Sequence, residues 1–257
     1  YLGIYTSIGT LKLLWTTVWL AAVRAVLATV IAIFLAWVVA RTNTPGRNVL
    51  EFLAWLAFFI PVLPRVLAWM ALGLPKTGLI NVAAAEWLNI GFPLFNIQSY
   101  GGIIWVSVLS FSSVLFLLIT PAFRSRDSAL EEASRTAGAT GPTTFFRVTL
   151  PLLMPAILGV SMLAFVRMME SFEIELLLGY PVRIFVFTTQ IYDYLYATPA
   201  SYDLALALST IFVVITFALM LYQWRLLVRR ERYAVVSGRG FTVRPTDLGR
   251  FKYVTAA

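Results

Sequence analysis

Five stretches of this chain, 13–40, 50–73, 100–123, 151–178 and 204–228, are each apolar over twenty residues or more. That is the length an α-helix needs to cross the hydrocarbon core of a bilayer. No other feature restricts the fold so strongly, because in lipid every backbone N–H and C=O must be satisfied within the segment, which leaves helices or closed barrels. Runs this long and this continuous are helical in kind. The third and fifth are clean, whereas the first carries Arg24, the second Pro61, Pro64 and Arg65, and the fourth Arg167 and Glu170. Prolines and charges at membrane depth persist against protein or a wet cavity, so these three spans are expected to be broken or to line something polar. The predicted fold class is an all-α polytopic membrane protein of five helices. An odd number with the amino end outside is the pattern expected if a sixth helix lies upstream of Tyr1.

Charge placement gives the orientation. Arg and Lys number two in 41–49, four in 124–150 and eight from Arg225 onward, fourteen in all, against Lys12, Lys76 and Arg183 in the remaining loops. By the positive-inside rule the larger set is cytoplasmic, and 1–12, 74–99 and 179–203 face outward. The net charge of +8 is thereby explained by topology, and no nucleic-acid partner is implied. Within 74–99, Ile80 to Leu88 is too short to span and reads as an interfacial helix. The chain has no cysteine and no histidine, which removes disulfides, thiol chemistry and the commonest general base and metal ligand. No glycine-rich phosphate loop ending in Gly-Lys-Ser/Thr is present either, so this chain carries no nucleotide site of its own.

One polar insert needs an explanation. Residues 130–155, LEEASRTAGATGPTTFFRVTLPLLMP, join two spans where a plain turn would do. Ser128 three residues before Glu131 is a capping-box pattern, 129–137 is helix-compatible, and Gly138 suits the left-handed residue that ends a helix. Pro142 fits the first turn of a second helix, and Pro151 opens the next span. Two short helices meeting at a glycine make a rigid knob on the cytoplasmic face. Arg124, Arg126, Arg135 and Arg147 are expected to anchor it at anionic headgroups.

The spacing in this knob resembles the cytoplasmic signature of permeases of ATP-binding-cassette importers: Glu-Ala-Ala, three residues, Gly, nine residues, Ile, one residue, Leu-Pro. Here Glu132-Ala133-Ser134 is followed at the same intervals by Gly138 and by Val148-Thr149-Leu150-Pro151. Ser134 and Val148 are the departures. The segments ARTNTPGR (40–47) and ESFEIELLLG (170–179) resemble two further parts of the same family, so the likeness runs from Trp15 to Val228. It implies a type I importer permease fold in a bacterial inner membrane, with a transmembrane domain over 1–228 and a cytoplasmic loop at 124–150. In that family the loop docks on a dimer of cytoplasmic ATPase subunits. The resemblance thus assigns ATPase coupling to Glu132, Ala133, Ser134, Gly138, Leu150 and Pro151. It also implies a second permease unit and an extracytoplasmic substrate-binding protein as partners beside membrane lipid. This chain would bind no cofactor or metal, with ATP and Mg held by the ATPase.

At about 1.5 Å per residue from Pro151, Arg167 lies about 24 Å and Glu170 about 28 Å along the fourth span. They can pair at i, i+3, with Glu173 a turn further on the same face and Glu175 pointing elsewhere. Arg167, Glu170 and Glu173 are the candidates for the translocation pathway or an outer docking surface. Arg24 and Arg65 have no sequence-local partner and are assigned to helix packing. After the last span, 229–257 is a basic cytoplasmic tail. Its stretch VSGRGFTVRPTDLGRFKY looks like the link between the halves of tandem ferric-iron permeases, and RIFVFTTQIYDYL (183–195) resembles their outer loop. The resemblance therefore leans towards ferric iron as cargo and towards a chain that is half of a tandem permease or its separate counterpart. The alternative function is a secondary transporter using its intramembrane Arg and Glu residues. That reading requires inverted repeats, and the sequence shows no convincing one.

Overall fold

The computed structural model describes residues 8–89, 91, 93–125 and 129–231. Ser128, Arg126 and the stretch of tail after Glu231, each given a role above, lie outside the described residues. Among the described residues every regular element is helical: α1 Ile8–Arg41, α2 Arg47–Phe59, α3 Val62–Gly73, α4 Leu79–Leu88, α5 Tyr100–Arg124, α6 Ala129–Thr136, α7 Gly141–Thr144, α8 Leu150–Met169, α9 Phe187–Tyr196 and α10 Tyr202–Glu231. Wide π turns occupy Phe145–Thr149 and Glu175–Gly179. Four helical stretches are long and apolar enough to cross a membrane, Gly9–Arg41, Tyr100–Arg124, Gly141–Met169 and Tyr202–Arg225, and α2 with α3 makes a fifth if a bent pair counts as one.

That bent pair replaces the continuous second span. The axis turns by 102° between Phe59 and Val62. Pro61 causes it by forcing Ile60 away from helical geometry, while Pro64 sits in the first turn of α3, where an N–H has no helical partner to lose. Arg65 Nη2 donates to the carbonyl of Ile60 at 2.9 Å. The arginine assigned to helix packing therefore caps a carbonyl released by the break.

The fourth span also differs from expectation at both ends. It does not begin at Pro151 but runs on from Gly141 through the π turn into α8. Pro151 has no N–H to offer its preceding turn, and the wide turn just before it absorbs the mismatch: Leu150 N–H reaches back five residues to Phe145 O. At the other end α8 stops at Met169 instead of reaching 178, and Glu170 to Phe172 are non-helical before a new turn starts at Glu173. Glu173 therefore does not continue the face of Arg167 and Glu170.

The chain divides into two compact units, with α1, α5, α8 and α10 contributing to both. The first holds the described residues of 8–25, 60–110 and 165–222. Its core gathers Leu20, Val66, Ile97, Ile103, Val106, Ile174, Leu178 and Val186, all at or near zero exposure. Close packing here is paid for by small residues: a Cβ on Gly102 would sit 2.0 Å from Ile97 O. Asn81 of α4 ties the neighbouring loop down, donating to Leu74 O at 3.0 Å and Phe95 O at 2.6 Å and accepting from Phe95 N at 3.0 Å. Lys12, Lys76 and Arg183, the outward basic set, all belong to this unit. The second unit holds the described residues of 26–59, 111–164 and 223–231, with the polar knob and Arg41, Arg47, Arg124, Arg135, Arg147 and Arg225 of the cytoplasmic set.

Candidate functional site

In the second unit the knob is built from its own sequence and then anchored by buried charge. α6 ends in a six-to-one and five-to-two pair of backbone bonds, Ala139 N to Ser134 O at 3.1 Å and Gly138 N to Arg135 O at 2.8 Å. This pattern requires a left-handed residue, and Gly138 supplies it at φ +87°. The Ser134 and Thr144 hydroxyls meet at 3.1 Å and so tie α6 to α7. The decisive anchor is Glu131. Its carboxylate is buried, accepts from Thr149 Oγ1 at 2.9 Å and lies 3.7 Å from Arg41 Nη1, itself 1% exposed. Trp37 packs on the Phe145 ring of the π turn at 5.2 Å between centroids. The loop that supplies Arg41 is stiff in its own right: Thr42 Oγ1 donates to Val38 O at 2.6 Å, and Arg47 Nη1 to Thr42 O at 2.8 Å.

With Glu131 turned inward, Glu132, Ala133 and Gly138 are exposed, Ser134 and Leu150 are half-buried and Pro151 is exposed. Adjacent glutamates thus have opposite tasks. Arg124, expected to seek headgroups, is instead bound to Glu51 at 2.6 Å.

In the first unit the structure brings together residues that sequence reasoning separated. Arg24, 1% exposed, is paired with Glu175, 0% exposed. Its Nε donates to Leu20 O at 3.1 Å, Nη1 also to Ser107 Oγ at 3.2 Å, and Nη2 to Met168 O at 3.0 Å. Glu175 Oε2 accepts from Ser171 Oγ at 2.6 Å, and the Ser171 carbonyl accepts from Thr188 Oγ1 at 2.7 Å. Glu175 therefore does not merely point elsewhere; it is the missing partner of Arg24. A buried guanidinium and carboxylate each survive only when paired and hydrogen-bonded, and both are. The network also supports the break after Met169, since it satisfies the carbonyls of Met168 and Ser171 on either side of it. Arg167 and Glu170 do pair, at 3.6 Å, with side chains 67% and 37% exposed, and Glu173 is exposed and outside that pair. No group of three or more His, Cys, Asp or Glu suited to a metal ion occurs among the described residues.

Residues 28–232 match the family model described as binding-protein-dependent transport system inner membrane component. Among relatives, the putative ferric transport system permease protein FbpB 1 of Haemophilus influenzae is 28% identical over 193 residues, which are 73% of this chain and 30% of that protein. The molybdenum transport system permease protein ModB of Escherichia coli (strain K12) is 29% identical over 204 residues, 78% of this chain and 86% of that one. The chain thus spans about 30% of the length of the ferric relative. Among solved structures, a chain of a bacterial alginate ABC transporter, crystallised in complex with an alginate pentasaccharide-bound periplasmic protein, superposes with a TM-score of 0.74. Its sequence identity is 21%, over 91% of this chain and 83% of that one. At that identity the likeness speaks for the fold.

Proposed function

We propose a function from one premise: the chain belongs to the family of binding-protein-dependent transport system inner membrane components. It is a multi-pass inner-membrane protein, and it serves as the permease subunit of an ATP-driven importer. ATP is hydrolysed by a separate cytoplasmic ATPase dimer, with Mg bound there. Cargo arrives on an extracytoplasmic binding protein, and a second permease unit completes the pathway. The chain itself is not an enzyme and holds no cofactor.

The observation that carries this reading is the division of labour between Glu131 and Glu132. A loop needed only as a connection has no reason to bury a carboxylate against Arg41 while presenting the next one, with the small Ala133, on an open surface. An anchored, stiff knob with a small-residue face is what docking and force transmission require. In this reading Glu132, Ala133 and Ser134 form the docking face, Gly138 sets its bend, and Leu150 and Pro151 hand the motion to the span. Arg167, Glu170 and Glu173 lie at the outer mouth, as pathway wall or as a surface for the loaded binding protein.

Ferric iron is the proposed cargo. Support comes from the tail and outer-loop likenesses and from the ferric relative, while the molybdenum relative aligns at 29% identity against 28% and over more of its own length. The absence of a metal cluster among the described residues does not weigh against iron, because the binding protein selects the cargo. The test is uptake into vesicles containing the assembled transporter, with ferric iron and molybdate offered on their own binding proteins. Uptake of iron alone is expected. Uptake of molybdate in its place would overturn the cargo assignment, and uptake of neither, with no stimulated ATPase, would overturn the importer reading.

A further inference from the structure

Of Lys12, Lys76 and Arg183, the three basic residues read as facing outward, Lys12 near the start of α1 and Arg183 in the turn after Val182 line one cavity of the first unit. The cavity measures about 450 Å³, within the size range of sites for organic ligands. Thr16 and Gln190 add polar groups to its wall, and Leu13 and Leu208 add apolar surface. Among the described residues no Asp or Glu lines it. Asp193, on the same helix as Gln190, is turned to other partners, accepting from Tyr180 Oη at 2.7 Å and from Gln190 Nε2 at 3.3 Å. Among the described residues neither Lys12 nor Arg183 forms an ion pair.

Arg183 has a further peculiarity. Its backbone is left-handed, at φ +58°, a position that favours Gly or Asn because a Cβ crowds the backbone there. Both side chains are exposed and share one cavity wall, so they offer two positive charges to a single anionic group on the face where basic residues are disfavoured. We propose that this cavity binds a phosphate-type anion between Lys12 and Arg183, with the organic body of the ligand against Leu13 and Leu208. Two sources share that chemistry: the headgroup of an anionic phospholipid in the outer leaflet, and a free phosphate or phosphoester. A bare tetrahedral oxyanion leaves most of the cavity empty, and the apolar wall matches a ligand with a glycerol or acyl portion. The site stands independently of the coupling loop and of the cargo assignment.

The assembled transporter is purified in non-ionic detergent and stripped of lipid. Its thermal midpoint is then titrated with phosphatidylglycerol, with phosphatidylcholine and with inorganic phosphate. The parent is compared with Lys12→Gln, Arg183→Gln, the double variant, the conservative Arg183→Lys, and Lys76→Gln, which changes the third outward cation. Phosphatidylglycerol is expected to raise the parent midpoint where phosphatidylcholine does not. Each single glutamine variant is expected to weaken that response by about fivefold in concentration, and the double variant to abolish it. Arg183→Lys should retain most of the response and Lys76→Gln all of it. Protection by inorganic phosphate that depends on the same two residues assigns the site to a free anion instead of a lipid. Equal protection by both lipids with no effect of phosphate, or a double variant that responds like the parent, overturns the proposal. Midpoints measured without additive report folding separately, and stimulated ATPase activity reports whether the importer reading fails on its own.

Discussion

Replacing Glu175 by Gln changes the shape of the first unit hardly at all and its electrostatics decisively. Arg24 keeps its bonds to Leu20 O, Ser107 Oγ and Met168 O, and Ser171 keeps an oxygen to donate to. What is lost is the negative charge opposite a guanidinium that is 1% exposed. Leaving one partner of a buried ion pair uncompensated costs about 3–5 kcal/mol. Glu175→Gln should therefore destabilise the purified chain by about that amount, as should Arg24→Met made alone. The double variant Arg24→Met with Glu175→Leu removes both charges and fills the space with apolar atoms, and should recover most of the loss. Tryptophan fluorescence on denaturant unfolding in detergent micelles measures Glu175→Gln and, as the four corners of the cycle, the parent, Arg24→Met, Glu175→Leu and the double variant. A cost below about 1 kcal/mol for Glu175→Gln, or a double variant as unstable as the sum of the singles, would refute the claim that this pair holds the broken end of α8 to α1.

Glu131→Ala should uncouple the ATPase by loosening the knob, with a loss of about 3 kcal/mol in stability, whereas Glu132→Ala should leave stability within about 0.5 kcal/mol; parallel melts and ATPase assays separate the two. Cysteine at Ala137 should react with impermeant reagents only from the cytoplasmic side and cysteine at Glu86 only from outside, and the reverse pattern would invert the topology. The mass of the detergent-solubilised complex should correspond to two permease units for each pair of ATPase subunits.

The knob was legible in the sequence because its determinants are local. Gly138, Pro142 and the helix-forming run before them act within a turn or two, so spacing alone placed α6, its left-handed stop and the restart. The ion pair of Arg24 with Glu175 was not legible in the same way, since its partners come from distant segments and the end of α8 carries no Pro or Gly to mark it. A usable signal did exist. Of the carboxylates in ESFEIE, Glu175 sits among Ile174, Leu176 and Leu177, and an arginine in an apolar run needs a carboxylate in equally apolar surroundings. Glu131 is legible in the sequence only as a capping-box residue after Ser128; its anchoring to Arg41 and Thr149 is not, because those partners lie in other elements and the signature draws attention to the glutamate beside it. The break at Pro61 was foreseeable in place but not in angle, because proline releases the helix without fixing where the next one points.

The central claim, that residues 129–151 form a lever and not a tether, is tested most directly by binding-protein-stimulated ATP hydrolysis in the reconstituted complex carrying Glu132→Lys or Gly138→Val. Glu132→Lys reverses charge on an exposed face without touching the Glu131 anchor. A Cβ at Gly138 meets no atom within 4 Å, so the expected cost of Gly138→Val is that of the left-handed backbone, about 1–2 kcal/mol against the bend. Both variants are expected to insert normally, to lose stimulation of the ATPase by loaded binding protein, and to lose transport with it. Normal stimulation and normal association with the ATPase in both would contradict the account.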